Sequence, residues 1–194
     1  MARDLIGEAR GAQIVATYDY RDETGTLIYQ VVRKDPKAFV QRRPDGKGGW
    51  IWGLGGIETM LYRLRELVAA IAAGDAAWIA EGEKDCDTLH RAGVVATCNS
   101  GGAGKFRAEV ARYFAGADVV IVRDKDEPGT KHAREVFAHL RGVAKSIRVV
   151  EARSGKDAAD HFGAGGKLED FVPVYPAADL RVTDPVAWKR RAIR

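Results

Sequence analysis

Two groups of acidic residues stand where apolar runs end. In "AAWIAEGEKDCDTL", residues 76–89, the run stops at Ala80 and is followed by Glu81, Glu83, Asp85 and Asp87. In "DVVIVRDKDEPG", residues 118–129, it stops at Arg123 and is followed by Asp124, Lys125 and Asp126. Carboxylates two residues apart point to one side of an extended backbone, so Asp124 and Asp126 can face one way and Lys125 the other. Bringing Glu81 to them would put about three negative charges within a few ångströms, which is strongly unfavourable without a cation. Hard oxygen donors of this kind suit Mg²⁺ or Mn²⁺, which take few protein carboxylates and keep sites for phosphate and water. One strand-terminal Asp alone would more often cap the next helix; the whole set points to a divalent-metal site.

The elements that must carry these acids can be read from periodicity. "AAWIA", "VVAT", "DVVIV" and "SIRVV" are short, continuous apolar runs near 76, 94, 118 and 146. Helical segments separate them, "KDCDTLHRAG", "RAEVARYFAG" and "TKHAREVFAHLRG". Strands alternating with helices, and apolar on both faces, predict a parallel sheet covered on both sides. In such a sheet ligands bind outside the carboxyl ends of the strands, where Glu81 and Asp124 fall. Upstream, "QIVATYDY", "TLIYQVVR" and "AFVQRR" are joined by "RDETG" and followed by "RPDGKGG", which predicts an antiparallel meander. Apolar residues at Ile57, Leu61, Leu64, Val68 and Ile71, closed by Gly74, predict a helix between the two regions. The expected organisation is an N-terminal β module over 1–56, a linking helix over 57–74, an α/β catalytic domain over 75–172 and a tail over 173–194.

At 194 residues, 46% apolar and 30% charged, the chain belongs with globular domains and not with disordered or fibrous chains. Its net charge of +4 permits a nucleic-acid partner without requiring one. The absence of an apolar leader or membrane-length run predicts a cytoplasmic protein with no membrane partner. Cys86 and Cys98 lack C-x-x-C spacing and are expected to be free and buried. The four histidines form no ligand cluster: His132 and His139 are seven apart, and His90 and His161 lie elsewhere.

Two further stretches could meet phosphate. "NSGGAGKF" fails as a P-loop, because Asn99 and Phe106 occupy places that need Gly and Ser or Thr. Gly101, Gly102 and Gly104 can still bring backbone amides close to a phosphate, with Lys105 as a point charge. Between 33 and 52, six Lys and Arg residues against Asp35 and Asp45 leave +4, interleaved with Phe39, Trp50 and Trp52. Arg42 and Arg43 are expected to hold a nucleic-acid backbone there, with the aromatic rings either stacking bases or packing inward against the helix.

Together "AEGEKDCDTL", "NSGGAGKF", "VIVRDKDEPGTKHA" and "GKDAADHF" resemble the toprim domain of bacterial primases, type IA and II topoisomerases and some nucleases. The likeness is nearest to the primase-like toprim proteins of phages and mobile elements, and it covers roughly residues 76 to 165. The resemblance implies an α/β toprim (Rossmann-like) parallel sheet with flanking helices. It makes Glu81 the acid/base glutamate and Asp124 and Asp126 the metal-binding Asp-x-Asp pair, with Asp85 and Asp157 on further acidic positions that some primases use around the metals. Lys125 and Arg123 stand where small or neutral residues are common in the family, and on the rim they would hold nucleotide phosphates. The implied activity is primase-type nucleotidyl transfer, with single-stranded DNA or RNA, nucleoside triphosphates and Mg²⁺ or Mn²⁺. A replicative helicase or zinc module on another chain would be the partner. Toprim cleavage of nucleic acid, and a binding-only accessory role, are the alternatives. Glu83 is expected to face solvent, and Asp87 to pair with Arg91.

Overall fold

The computed structural model describes residues 13–174, which fall into two compact units divided between Glu58 and Thr59. The first is an antiparallel sheet ordered β1-β2-β3-β4, with β1 Gln13–Arg21, β2 Leu27–Asp35, β3 Ala38–Pro44 and β4 Trp50–Trp52. Its turns are made by aspartates that accept backbone N–H groups. Asp22 Oδ1 takes those of Thr24 and Thr26, and Asp45 Oδ1 those of Lys47 and Gly49. Tyr18, Tyr20, Tyr29 and Val31 are buried on one face, where the Tyr20 and Tyr29 rings stack 4.6 Å apart.

The second unit is built on a five-stranded sheet ordered β6-β5-β7-β8-β9. Strands β5 Ala77–Ile79, β6 Ala96–Thr97, β7 Asp118–Arg123 and β8 Ser146–Glu151 are parallel, and β9 Val172–Pro173 adds an antiparallel edge. Helices α1 Leu64–Ala72, α2 Glu83–Arg91, α3 Glu127–Leu140 and α4 Ala158–Gly163 connect or cover the strands. Ile79, Val119 and Ile121 pack on one side with Leu67, Phe106, Phe114, Val136 and Leu140. Trp78 and Val120 alternate with them, and Trp78 meets Phe171 edge-on at 6.1 Å. Both faces are thus apolar, which is why the strand runs are continuous.

Two boundaries need correction, and one helical segment takes a tighter form. The linking helix begins at Leu64 and not at Ile57, because Leu61 makes a β-bridge with Asn99 and Arg63 sits at φ 53, a left-handed conformation that ends the irregular entry. "RAEVARYFAG" is helical as expected, and takes the tighter 3₁₀ form over Ala108–Phe114. The tail's start at 173 falls inside β9, while "WKRRAIR" lies outside the described residues. Cys86 and Cys98 are free and buried, as expected. Among the described residues no helix is long and apolar enough to cross a membrane.

Candidate active site at the carboxyl edge of the parallel sheet

Four parallel strands deliver four loops to one edge of the sheet. Glu81 follows β5, the glycine loop follows β6, Asp124 follows β7, and the 152–157 loop with Asp157 follows β8. Asp124 is only 9% exposed and its carboxyl is pushed up to about 7, first by burial and then by the charges of Asp85, Glu81 and Asp157. Asp85 is buried in the first turn of α2 and is pushed up to about 6. Burial is again the main cause, Asp157 and Glu81 add to it, and a hydrogen bond from Ala159 N at 2.9 Å pulls the other way. Asp157 caps α4, accepting from Asp160 N at 2.7 Å. Glu81, Asp85, Asp124 and Asp157 therefore act on one another as a single negative field.

Asp126 behaves differently from its neighbour two residues back. It caps α3, with Oδ1 accepting from Gly129 N at 2.7 Å, and its other oxygen pairs with Lys156 Nζ at 2.8 Å. Lys156 and the Gly129 amide hold its carboxyl below the usual range. The first turn of α3 lies so close to Asp124 that a Cβ at Gly129 would stand 2.6 Å from Asp124 Cβ. Glycine is needed there to seat the helix against the acid. Among the described residues, no three His, Cys, Asp or Glu side chains form a ready ligand set for one ion.

Around this edge the cations have definite places. Lys125 donates from its backbone N to Lys156 O and from Nζ to Arg153 O, tying the β7 loop to the β8 loop. An open cleft of about 490 Å³ is lined by Arg123, Lys125, Asp126, Glu127, Thr130 and Glu151, with Arg123 ion-paired to Glu151. Gly101, Gly102 and Gly104 all have positive φ, 93°, 75° and 74°, and Asn99 Nδ2 clamps the loop by donating to Gly102 O at 2.8 Å. In the other unit, Arg42 donates to Gln30 Oε1 at 2.8 Å, and Arg43 donates to Gly53 O at 2.6 Å.

Sequence reasoning misplaced or missed several side chains. Glu83 is buried at 8% exposure and does not face solvent. Asp87 accepts from Tyr62 and Arg63, not from Arg91, which donates to Thr88. Trp50 and Trp52 are 37% and 40% exposed, so they do not turn into a core. His132 and His161 are buried, and His161 bridges the β8 loop through Ser154 N and Lys167 O. Lys156 and Gln30 were not singled out, and "GKD" was the one available signal for the first.

No family model matches the chain. A DNA primase of Synechococcus elongatus is 31% identical over 109 residues, a match spanning 53% of this chain and 16% of that protein. Among solved structures, the DnaG primase catalytic domain bound to single-stranded DNA superposes with a TM-score of 0.60. It is 20% identical, over 81% of this chain and 53% of that one. The fold is that of a primase toprim core. The Aquifex aeolicus primase, comprising zinc-binding and RNA polymerase domains, gives a TM-score of 0.61 at 18% identity, over 81% of this chain and 40% of that one. The chain thus spans about half or less of each of these three primases.

Proposed function

We propose that the chain is the catalytic part of a DNA primase-type nucleotidyltransferase acting in phage or mobile-element replication. The observation that carries this reading is the convergence of Glu81, Asp85, Asp124 and Asp157 on the carboxyl edge of a primase toprim core, with Asp124 lifted to about 7. Such crowding is what a hard divalent cation relieves, and the donors are all carboxylate oxygens, so the set fits Mg²⁺ or Mn²⁺. Asp124 and Asp126 would hold the ion, with Asp85 and Asp157 as further ligands. Bound there, the metal would neutralise phosphate charge and lower the pKa of an attacking hydroxyl.

The chain's own residues supply the rest. Glu81 would move a proton at the attacking oxygen. Lys125 and the amides of Gly101, Gly102 and Gly104, with Lys105, would hold nucleotide phosphates at the rim. Arg42 and Arg43 would hold the template backbone, and a replicative helicase or a zinc module on another chain would complete the system. Incubation with single-stranded DNA, nucleoside triphosphates and Mg²⁺ or Mn²⁺ tests the reading. Longer products are expected. Shortened DNA would instead identify a toprim nuclease, which uses the same carboxylates with water as the nucleophile, and no product with retained binding would leave an accessory role.

A further inference from the structure

The antiparallel unit exposes two aromatic side chains, flanked by Lys34 and Arg42, to which the proposed function gives no role. Trp50 and Trp52 stand two apart on β4 and so share a face, and they are 37% and 40% exposed. Trp52 lies opposite Arg42, Arg42 opposite Gln30, and Gln30 opposite Asp19. The side chains follow the register. Gln30 Nε2 donates to Asp19 Oδ1 at 2.6 Å, and Arg42 Nε donates to Gln30 Oε1 at 2.8 Å. That relay aims the guanidinium at the rings, 4.1 Å from the Trp50 centroid and 5.7 Å from that of Trp52. Lys34 Nζ lies 4.8 Å from the Trp52 centroid.

Two large aromatics left in water lose the burial that ordinarily pays for them, and a cross-strand relay that orders a cation beside them is a built feature. Residues two apart on a strand are about 6.6 Å from each other, close to twice the ~3.4 Å rise of stacked bases. Residues 33–52 carry +4, which complements a phosphate backbone. A duplex hides its base faces, so stacking selects an unpaired strand. We propose that Lys34, Arg42, Trp50 and Trp52 form a stacking platform for the unpaired bases of a single-stranded nucleic acid. This rests on the nucleic-acid reading above and not on the metal site.

The test separates bases from phosphates. Binding of a fluorescent oligothymidylate, and of an abasic strand of equal length, is measured by anisotropy in EDTA on the full chain. Wild type should prefer the oligothymidylate. Changing Trp50→Leu and Trp52→Leu together should weaken that binding by about fivefold or more per tryptophan, down to the level of the abasic strand, whose own binding stays constant. The Trp50→Phe, Trp52→Phe protein keeps aromatic faces and should retain most of the affinity. Equal oligothymidylate affinity in wild type and the double Leu variant overturns the proposal. So does equal loss on a duplex, or loss of self-association with nucleic-acid binding unchanged, which would make the face a protein interface. EDTA excludes the metal, so failure of the metal-site reading would appear in Mn²⁺ calorimetry and leave this result untouched.

Discussion

The two units handle charge in opposite ways. At the carboxyl edge of the parallel sheet, acids are buried together, and Asp124 and Asp85 are driven up to about 7 and about 6. On the antiparallel sheet Arg42 lies over exposed rings and is held by Gln30, and Arg43 is held by Gly53. A buried like-charge cluster is costly until a cation arrives, whereas an exposed cation–aromatic row costs little and waits for a large polyanion. If, as proposed above, a divalent ion is the ligand of the first and a nucleic acid that of the second, substitutions in each should have separable effects.

The largest effect is expected from Asp124→Asn. Loss of an outer-shell partner typically costs 10- to 100-fold in metal affinity, so loss of a ligand should cost more than about 100-fold. Calorimetry with Mn²⁺ checks this, and unchanged affinity would remove Asp124 from the site. Turnover should vanish with it. Glu81→Gln comes next, with turnover falling by roughly 10² or more while Mn²⁺ binding persists. An equal loss of Mn²⁺ affinity would make Glu81 a ligand instead of a proton carrier.

The same crowding sets a pH dependence that the basic unit should lack. Asp124 and Asp85 have folded pKa values near 7 and 6 against an ordinary 3.8, so the folded state favours their protonated forms. Stability from these groups is present in acid and is lost as pH rises toward 7, at about 1.4 kcal/mol per pH unit for Asp124 alone. Metal-free protein should melt lower at pH 8 than at pH 5, by about 2–4 °C for each kcal/mol. Asp124→Asn should flatten that curve, and added Mn²⁺ should raise the wild-type melting point at pH 8. A wild-type protein that melts higher at pH 8 in EDTA would contradict the burial of a charged cluster.

Why some of this was legible in the sequence and some was not follows from the range of each interaction. Continuous apolar runs gave the parallel strands, and their ends located Glu81 and Asp124, because strand and turn signals are local. Asp126 looked like a twin of Asp124, yet its orientation is decided by the Gly129 amide three residues on and by Lys156, thirty residues away. Asp87 was matched to Arg91 by helical spacing, but Arg63 reaches it from before α1. Helical periodicity from Ile57 to Ile71 did not reveal that Leu61 is claimed by Asn99. The placing of Arg42 over Trp50 rests on a three-strand relay through Gln30 that no spacing rule encodes.

Replacing Arg42 and Arg43 with Ala sharpens the comparison from the basic side. Each lost phosphate contact should reduce the slope of log affinity against log salt by about 0.7 for a single strand. Anisotropy at several salt concentrations measures it, and Mn²⁺ affinity should not move. An unchanged slope would confine these arginines to holding Gln30, the tryptophans and Gly53.

The smallest effect concerns Lys156, which among the described residues is the cation paired directly to a proposed ligand. Its Nζ lies 2.8 Å from Asp126 Oδ2, and Asp126, Asp124 and Glu81 all favour its charged form. A divalent ion on Asp126 has to compete with that ammonium. The pair is half exposed, with Lys156 at 55%, and pairs of this kind contribute about 0–1 kcal/mol. Lys156→Met should therefore tighten Mn²⁺ binding by only about two- to fivefold, and high salt should shrink the difference by screening the pair. Oligothymidylate binding in EDTA should be the same in variant and wild type, since Lys156 is no part of the stacking row. Weaker Mn²⁺ binding in the variant would show that Lys156 supports the site instead of competing for it, and would place the ion away from Asp126.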